Sequence, residues 1–315
     1  MVKVGIMLES QENLSWERLF DLANKVEEFG FESLFLSDHL TSVKGNKQLE
    51  SMALWPALTA LSIHTTSIKI GSLVCSSTFR HPAQLAKMAA SVDQLSGGRL
   101  EIGLGAGWYK EEHDMFGIPF PSAHYRLELL QDCVQILKQL WSGKSIDFAG
   151  KHYQLVNAEM YPTPVDKSIP IIVGGMGNTT LKIASMYADE WNAYYIDVNT
   201  YMEKARILAD HCEDVKRNPD TIRHSLMTPY VIGQRDDDIQ DHIDANRAIF
   251  PSLPDNLSDW HAQGFVGGSP NQLIDQLSVF VEMGVNRFIF EHNDLDNVSH
   301  LEMLSQTVVP IINSM

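Results

Sequence analysis

The part of the sequence that decides the fold is residues 82–108, which read PAQLAKMAASVDQLSGGRLEIGLGAGW. Residues 82–95 are typical of a helix, the pair Gly97-Gly98 turns the chain, and residues 100–104 form a short apolar strand that runs into glycines. A helix, a glycine turn and a buried strand in this order make one unit of an alternating α/β chain.

The same unit repeats on both sides of this stretch. Amphipathic helices separate the strands, and the first of them follows Ser15 as its cap and stops at Gly30. A later helix starts at Ser269-Pro270, which supplies a cap residue and a proline in the first turn. The predicted strands cover residues 2–8, 31–37, 68–74, 100–104, 170–173, 191–195, 226–232 and 287–290.

Eight such repeats predict an α/β fold, a (β/α)8 TIM barrel with insertions at the C-terminal rim of its strands. A doubly wound open sheet is the alternative, but near-regular units without a halfway break favour the closed barrel. We expect one domain over residues 1–315. Residues 148–153 predict a hairpin insertion, and residues from about 234 to 267 form the largest irregular insertion, which we expect to shape the substrate pocket.

Composition limits the function classes. The 315 residues are 44% hydrophobic and 20% charged, and the net charge of −16 argues against general nucleic-acid binding. No apolar run approaches the ~18 residues of a membrane span, and the N-terminus has no signal-peptide pattern. Three cysteines without a C-x-x-C pair indicate a reduced, cytoplasmic setting. The histidines show no metal-ligand spacing, so we expect no metal.

Catalytic groups of a barrel project from the ends of several strands, so the residues after each strand are site candidates. Asp38-His39 follows the second strand, where a carboxylate beside an imidazole can supply a hydrogen bond and a proton near neutral pH. The alternative is a helix cap at Asp38 and a satisfied surface histidine. After the third strand, small polar residues such as Ser76 either line a slot for a planar ring or form an ordinary loop.

The fourth strand ends in GLGAGW, residues 103–108. Its glycines let a ligand approach the backbone closely, although their spacing is not that of the dinucleotide fingerprint. Glu111, Glu112 and His113 follow. The alternative for the two glutamates is that they are solvated acids at a helix start.

The fifth strand ends in GGMGNTT, residues 174–180, which leads into a helix. Glycines at a helix N-terminus predict an anion site of the kind that binds phosphate. The alternative is a flexible turn with Asn178 or Thr179 as the helix cap. Two other groups are weaker candidates for a functional site. Residues 236–238, DDD, indicate a helix start rather than a metal site. Glu291-His292 would line the pocket, but no role is assigned to the pair.

Taken in order, these strand ends resemble the luciferase-like monooxygenase superfamily, and most closely its deazaflavin branch, which uses coenzyme F420. The resemblance covers nearly the whole chain and is clearest from residue 31 to 192. The segments that carry it are EEFGFESL (27–34) leading to Asp38-His39, TFRHP (78–82), DQLSGGR (93–99), GLGAGW (103–108), FGIPFP (116–121), GKHY (150–153), Gly174-Gly175 and ADEWN (188–192).

The resemblance implies a cofactor ring against strands two to four, a phosphate near the fifth strand, and His39 as proton donor or acceptor. The pair Leu73-Val74 matches a pair that carries a non-prolyl cis peptide bond in related deazaflavin enzymes. The substrate pocket would include Trp108, His113 and Trp191. The implied cofactor contacts are Asp38, Leu73, Val74, Ser76, Ala106, Gly107, Glu111, Gly174, Gly175, Gly177 and Asn178.

One position departs from the family pattern. The sugar-phosphate dehydrogenases of this family place a catalytic glutamate directly after the strand-four glycines, where this chain has Trp108. Sugar-phosphate oxidation is therefore disfavoured, and Trp108 would instead form a wall of the substrate pocket or stack on the substrate. Glu111 and His113 are candidate substitutes for the missing acid.

The resemblance thus predicts an oxidoreductase that transfers a hydride between coenzyme F420 and a small organic substrate. The alternative is a two-component monooxygenase that uses reduced FMN, oxygen and a separate flavin reductase at the same rim. A non-catalytic cofactor carrier or sensor is a third hypothesis, which the Asp38-His39 pair disfavours. The resemblance also implies a homodimer.

Overall fold

The computed structural model describes residues 1–44 and 46–315. Its strands are β1 (Lys3–Leu8), β2 (Ser33–Leu36), β3 (Lys69–Ser76), β4 (Leu100–Gly105), β5 (Ile146–Ala149), β6 (Gln154–Ala158), β7 (Ile171–Gly174), β8 (Glu190–Tyr194), β9 (Arg223–Ile232), β10 (Val266–Gly268) and β11 (Arg287–Glu291). Its helices are α1 (Trp16–Glu28), α2 (Leu54–His64), α3 (Pro82–Ser96), α4 (Lys110–Phe116), α5 (Ala123–Trp141), α6 (Asn178–Tyr187), α7 (Val198–Asp214), α8 (Asp236–Ile249), α9 (Leu257–Ala262), α10 (Pro270–Glu282), α11 (Ser299–Thr307) and α12 (Val309–Asn313), and Pro219–Thr221 adds a 3-10 turn.

Eight strands close into a barrel in the order β1, β2, β3, β4, β7, β8, β9 and β11, with every neighbouring pair parallel. The circle closes where β11 pairs with β1, with Met7 opposite Glu291. The predicted TIM barrel is therefore confirmed. Because all the strands run the same way, their carboxyl ends meet at one rim.

The outer helices begin and end for local reasons that the sequence carries. Ser15 caps α1 by accepting a hydrogen bond from the Arg18 backbone N–H at 3.3 Å, and Gly97 ends α3 with a φ of 68°. Ser269 caps α10, with Pro270 in its first turn. The apolar faces of the helices pack on the barrel in one large core of buried residues. Within the described residues, no helix combines the length and the apolar character needed to cross a membrane.

The two insertions differ in how well the sequence predicts them. The predicted hairpin is confirmed, because β5 and β6 pair in antiparallel fashion. The prediction that residues 234–267 are irregular is wrong, since they hold α8, α9 and the start of β10, which pairs with β9. Asp238 accepts the backbone N–H of Arg235 at 3.1 Å, so the acidic run begins a helix, whose apolar side packs near Trp260 and Phe265.

A buried ionic network closes the N-terminal end of the barrel. Arg287 is fully buried and meets Glu101 with both guanidinium branches, Nη1 to Oε2 at 2.5 Å and Nη2 to Oε1 at 3.1 Å. Nη2 also donates to Glu32 at 2.9 Å, and Nη1 lies 3.1 Å from Glu190. Burial alone would raise the pKa of Glu101, but the charge of Arg287 outweighs burial and lowers it. Burial raises the pKa of Glu190 to about 7.

Candidate functional site

A cavity of about 580 Å³ opens at the C-terminal rim of the barrel. Its wall comes from the ends of β1 to β4 and β7 to β9, with Phe250 added from the chain that follows α8. Most of the predicted site residues share this cavity, which is the outcome expected for strand ends in a barrel. They are Asp38, His39, Leu73, Val74, Ser76, Ala106, Gly107, Trp108, His113, Gly174, Gly175 and Gly177.

His39 is held at the rim by a buried carboxylate. Its Nδ1 lies 2.9 Å from Oε1 of Glu112, whose Oε2 accepts the Leu40 backbone N–H at 3.0 Å. The Glu112 side chain is 1% exposed. Because a carboxylate accepts, Nδ1 donates, and Nε2 finds no hydrogen-bond partner in the described part of the chain. Burial alone would lower the pKa of His39, but the hydrogen bond and charge of Glu112 outweigh burial and raise it.

Asp38, next to His39, is paired with Arg80 from the loop after β3. Both guanidinium branches donate to the carboxylate, with Nη2 3.0 Å from Oδ1. A two-pronged pair of this kind fixes the plane of the carboxylate. Arg80 lies in the TFRHP motif, yet the sequence assigned it no role. In the structure it orients an acid that lines the cavity.

The floor of the cavity is built from the Val74 side chain and bare glycine backbone. The Cβ atoms that Gly103, Gly105 and Gly174 lack would each lie within 2.9 Å of side-chain carbons of Val74. No larger residue fits at these positions without a shift of the floor. The Leu73–Val74 peptide bond is cis, as the resemblance predicts. The Val74 side chain, packed against these glycines, gives the floor an apolar surface that can support one face of a planar ligand.

One wall of the cavity is a chain of hydrogen bonds. The hydroxyls of Ser76 and Thr78 lie 2.6 Å apart, and Thr78 Oγ1 lies 2.7 Å from Nε2 of His113. Nδ1 of His113 donates to the carbonyl oxygen of Tyr109 at 2.8 Å. Both ring nitrogens of His113 are therefore engaged, unlike those of His39. Gly107 has a φ of 79°, and a Cβ there would lie 2.5 Å from Ser76 Oγ.

The glycine-rich segment after β7 forms an open helix N-terminus. Gly175 has a φ of 136°, a backbone conformation that favours glycine. α6 starts after Gly177 without a side-chain cap, so the alternative in which Asn178 or Thr179 caps it is wrong. Asn178 turns to the outside, where its Oδ1 lies 3.0 Å from Nε2 of His211. The uncapped N–H groups of the first turn fit an anion such as phosphate.

The comparison with known proteins agrees with this geometry. The sequence model of the luciferase-like monooxygenase family matches residues 2–267. The chain belongs to the luciferase-like monooxygenase family. It is 26% identical over 325 residues to an F420-dependent glucose-6-phosphate dehydrogenase of Microbacterium testaceum, with 96% of this chain and 95% of the relative covered. It is 34% identical over 200 residues to an F420-dependent hydroxymycolic acid dehydrogenase of Mycobacterium tuberculosis, with 62% and 54% covered. The prediction of an oxidoreductase is confirmed.

Solved structures share the barrel of this luciferase-like protein. An F420-dependent secondary alcohol dehydrogenase in complex with an F420-acetone adduct has a TM-score of 0.84 at 21% identity, with 99% of each chain covered. A long-chain alkane monooxygenase has a TM-score of 0.82 at 16% identity, with 99% of this chain and 91% of the other covered. At these identities the likeness shows the fold alone.

Three predicted site residues of this luciferase-like protein do not line the cavity. Glu111 is exposed and accepts a hydrogen bond from the Tyr109 hydroxyl at 2.8 Å, which fits the surface-acid alternative. Asn178 lies on the outer surface. Trp191 is fully buried, and its Nε1 donates to the carbonyl oxygen of Gly175 at 2.8 Å. Trp191 therefore supports the glycine-rich segment from behind instead of facing a substrate.

Other residues of the site were missed from the sequence. Glu112 was grouped with Glu111, and no local signal separates two adjacent glutamates in a helix start. Glu9 after β1 and Tyr195 after β8 also line the cavity. These two had a signal, because Glu9 follows a predicted strand and Tyr195 is the last residue of the predicted strand 191–195.

Proposed function

We propose that this luciferase-like protein is an F420-dependent oxidoreductase that moves a hydride between the deazaflavin and a small organic substrate. The observation that carries the proposal is His39, whose Nδ1 is held by the buried Glu112 while its ring lines the cavity. The imidazole and the Val74 floor belong to one cavity, so a proton-transfer group and a surface for a planar ring lie together.

The residues of the cavity fit a deazaflavin. The ring would rest on the Val74 floor, Asp38 and Ser76 would meet its polar edge, and the N-terminus of α6 would take the phosphate through backbone N–H groups. When bound, the deazaflavin supplies the acceptor or donor of the hydride. The relatives named as F420-dependent support this cofactor over FMN.

His39 would manage the proton that accompanies the hydride. Glu112 raises the pKa of His39 and so favours the protonated ring near neutral pH. Nε2 can then give a proton to a carbonyl oxygen, or in the neutral ring take one from a hydroxyl. The Trp108 ring stands edge-on to the His39 ring, with the two ring centroids 5.7 Å apart. Trp108 is 66% exposed at the mouth of the cavity, so it would form a wall of the substrate pocket.

The substrate of the Microbacterium relative is not carried over to this chain. Trp108 stands where the resemblance places the catalytic glutamate of the sugar-phosphate enzymes. A separate flavin reductase would be needed only for the FMN alternative. The homodimer and the cytoplasmic setting stay predictions from the sequence.

Fluorescence titration of the purified protein with coenzyme F420 and with FMN tests the cofactor. We expect saturable quenching of F420 fluorescence with a lower dissociation constant than that for FMN. Tight binding of FMN without binding of F420 would overturn the proposal. It would also favour the monooxygenase alternative, which oxygen uptake coupled to product would establish.

Replacing His39 by Ala tests the proton role. We expect turnover to fall by about 100-fold, the lower part of the range for a general acid or base, with F420 affinity nearly unchanged. His124→Ala is the matched control, because the His124 side chain is 80% exposed on α5 and does not line the cavity. Unchanged turnover in His39→Ala would remove this histidine from the mechanism.

A further inference from the structure

On one side of the cavity, Glu9 lies in the wall and a second acid, Glu291, is hydrogen-bonded to the wall residue Tyr195, and the proposed chemistry uses neither acid. Glu9 follows β1 and lines the cavity, and its carboxylate accepts a hydrogen bond from Gln11 Nε2 at 2.7 Å. Glu291 ends the neighbouring strand β11 and is buried. Tyr195, which also lines the cavity, donates its hydroxyl to Glu291 across β9. We refer to Glu9, Tyr195 and Glu291 as the acidic side.

The cation nearest to the acidic side does not neutralise it. Lys44 is buried, with its side chain 8% exposed, its Nζ 3.9 Å from Glu12 and the Phe250 ring centred 2.8 Å from Nζ. Burial raises the pKa of Glu291 to about 7 and lowers the pKa of Lys44 to about 7. Lys44 is thus one cation beside three carboxyl groups, those of Glu9, Glu12 and Glu291, and it cannot balance all of them.

The rest of the cavity offers no cation to an anionic substrate. Over residues 1–44 and 46–315, no lysine or arginine lines it. The carboxylate of Glu112 balances the charge of a protonated His39 ring, and His113 has partners on both ring nitrogens. The uncapped N-terminus of α6 is the part that suits an anion, and the proposed function assigns it to the cofactor phosphate.

We propose that the substrate is an uncharged or positively charged alcohol or carbonyl compound, and that the acidic side rejects phosphorylated and carboxylated analogues. The inference rests on the proposed function. The Tyr195 hydroxyl and the Glu9 carboxylate would hold a hydroxyl or ammonium group, while Met227 and Phe250 supply apolar wall. Like charges brought together in a poorly solvated site are strongly disfavoured, so exclusion of anions follows from the same carboxylates.

Three secondary alcohols with the same four-carbon skeleton test the charge preference. They are butan-2-ol, 4-aminobutan-2-ol and 3-hydroxybutanoate, each supplied to the F420-loaded enzyme while F420 reduction is followed by absorbance and binding by calorimetry. We expect kcat/KM for 3-hydroxybutanoate to be at least tenfold below that for butan-2-ol, with 4-aminobutan-2-ol equal to butan-2-ol or better. Equal values, a preference for the anion, or no binding of any of the three would overturn the proposal.

Substitution at Glu9 assigns the effect to the acidic side. Glu9→Gln should raise kcat/KM for 3-hydroxybutanoate at least fivefold relative to butan-2-ol, and Glu9→Lys should reverse the order of the two. Glu203→Gln, an exposed glutamate on α7, is the control and should leave the ratio unchanged. An unchanged ratio in both Glu9 variants would overturn the role of this carboxylate.

The F420 titration keeps the two proposals apart. If F420 does not bind, the proposed function fails. If F420 binds and butan-2-ol and 3-hydroxybutanoate react equally well, the charge preference fails while the proposed function stands.

Discussion

The two ends of the barrel treat buried charge in opposite ways. At the N-terminal end, Arg287 contacts three carboxylates and meets Glu101 with both guanidinium branches. At the C-terminal rim, His39 gives one nitrogen to Glu112 and leaves the other without a partner in the described structure. A charge that is fully paired stabilises the fold, whereas an imidazole with one unpaired ring nitrogen can still transfer a proton. Buried carboxylates therefore take different roles at the two ends, since they balance a fixed charge at one end and orient an imidazole at the other.

Breaking the network at the N-terminal end should have the largest effect. Arg287→Met leaves the buried carboxylates of Glu101 and Glu190 without their main counter-ion. We expect the free energy of unfolding to fall by about 3–5 kcal/mol, the cost of breaking a buried ion pair from one side. Urea unfolding followed by circular dichroism measures it.

Arg287→Lys is the control, because it keeps the charge without the two-pronged geometry. We expect a smaller fall in its free energy of unfolding. Under conditions where Arg287→Met remains folded, its F420 affinity should match that of the parent, because the network lies at the far end of the strands. A loss below 1 kcal/mol, or a loss of affinity in the folded variant, would contradict this division of the barrel.

At the rim, in contrast to the N-terminal end, we expect a substitution to lower catalytic activity with little change in the free energy of unfolding. Glu112→Gln removes the charge that raises the pKa of His39. We expect kcat to fall by about 10- to 100-fold, the range known for carboxylates that orient metal-binding histidines, because His39 loses the group that orients it. The limb of the pH profile of kcat that belongs to His39 should also move to lower pH. Steady-state kinetics across pH measures both.

Glu111→Gln provides the adjacent control. Glu111 is exposed and bound to Tyr109, so the change should alter neither kcat nor the pH profile. If Glu112→Gln lowered kcat without moving the limb, Glu112 would be a structural residue and not a positioning residue for His39.

The fold could be predicted from the sequence because its β/α units repeat. Alternating apolar strands and amphipathic helices, with caps such as Ser15 and Ser269, predicted the closed barrel and the hairpin. The acidic run at residues 236–238 indicated a helix start, but the rest of the insertion at residues 234–267 was still predicted to be irregular, because α9 has only 6 residues. The apolar side of α8 and α9 shows only once Trp260 and Phe265 pack together against β9.

The sequence predicted the residues of the site best where they lie at the end of a strand or directly after it. Asp38, His39 and the glycines follow strands directly, and the barrel brings them together. Glu111 and Glu112 are adjacent in α4, and only the packing of that short helix decides which of them faces His39. The prediction that Trp191 belongs to the substrate pocket was wrong for a related reason. Side chains alternate between the two faces of a strand, and the register of β8 decides on which face Trp191 lies.

The rim also contains histidines that are buried without a counter-ion, and they should make the protein sensitive to acid. Nδ1 of His242 accepts the Ile232 backbone N–H at 3.0 Å, and the His242 ring stacks on His300 at 3.5 Å. Burial lowers the pKa of His292 to about 3 and lowers the pKa of His242 as well. These rings stay neutral in the fold, while in the unfolded chain they take up protons below about pH 6.5.

The stability that these histidines contribute should therefore be full above pH 6.5 and be lost as pH falls towards 3. The expected loss between pH 6.5 and 5 is about 1.5 kcal/mol for each such histidine, because the unfolded state binds more protons. Urea unfolding at both pH values measures it, and His292→Gln should reduce the difference by that amount. His124→Gln, a substitution at a histidine whose side chain is 80% exposed, is the control and should keep the acid sensitivity of the parent. If His292→Gln also kept it in full, the acid response would have to come from other groups, and the contrast between the two ends would rest on His39 and Glu112 alone.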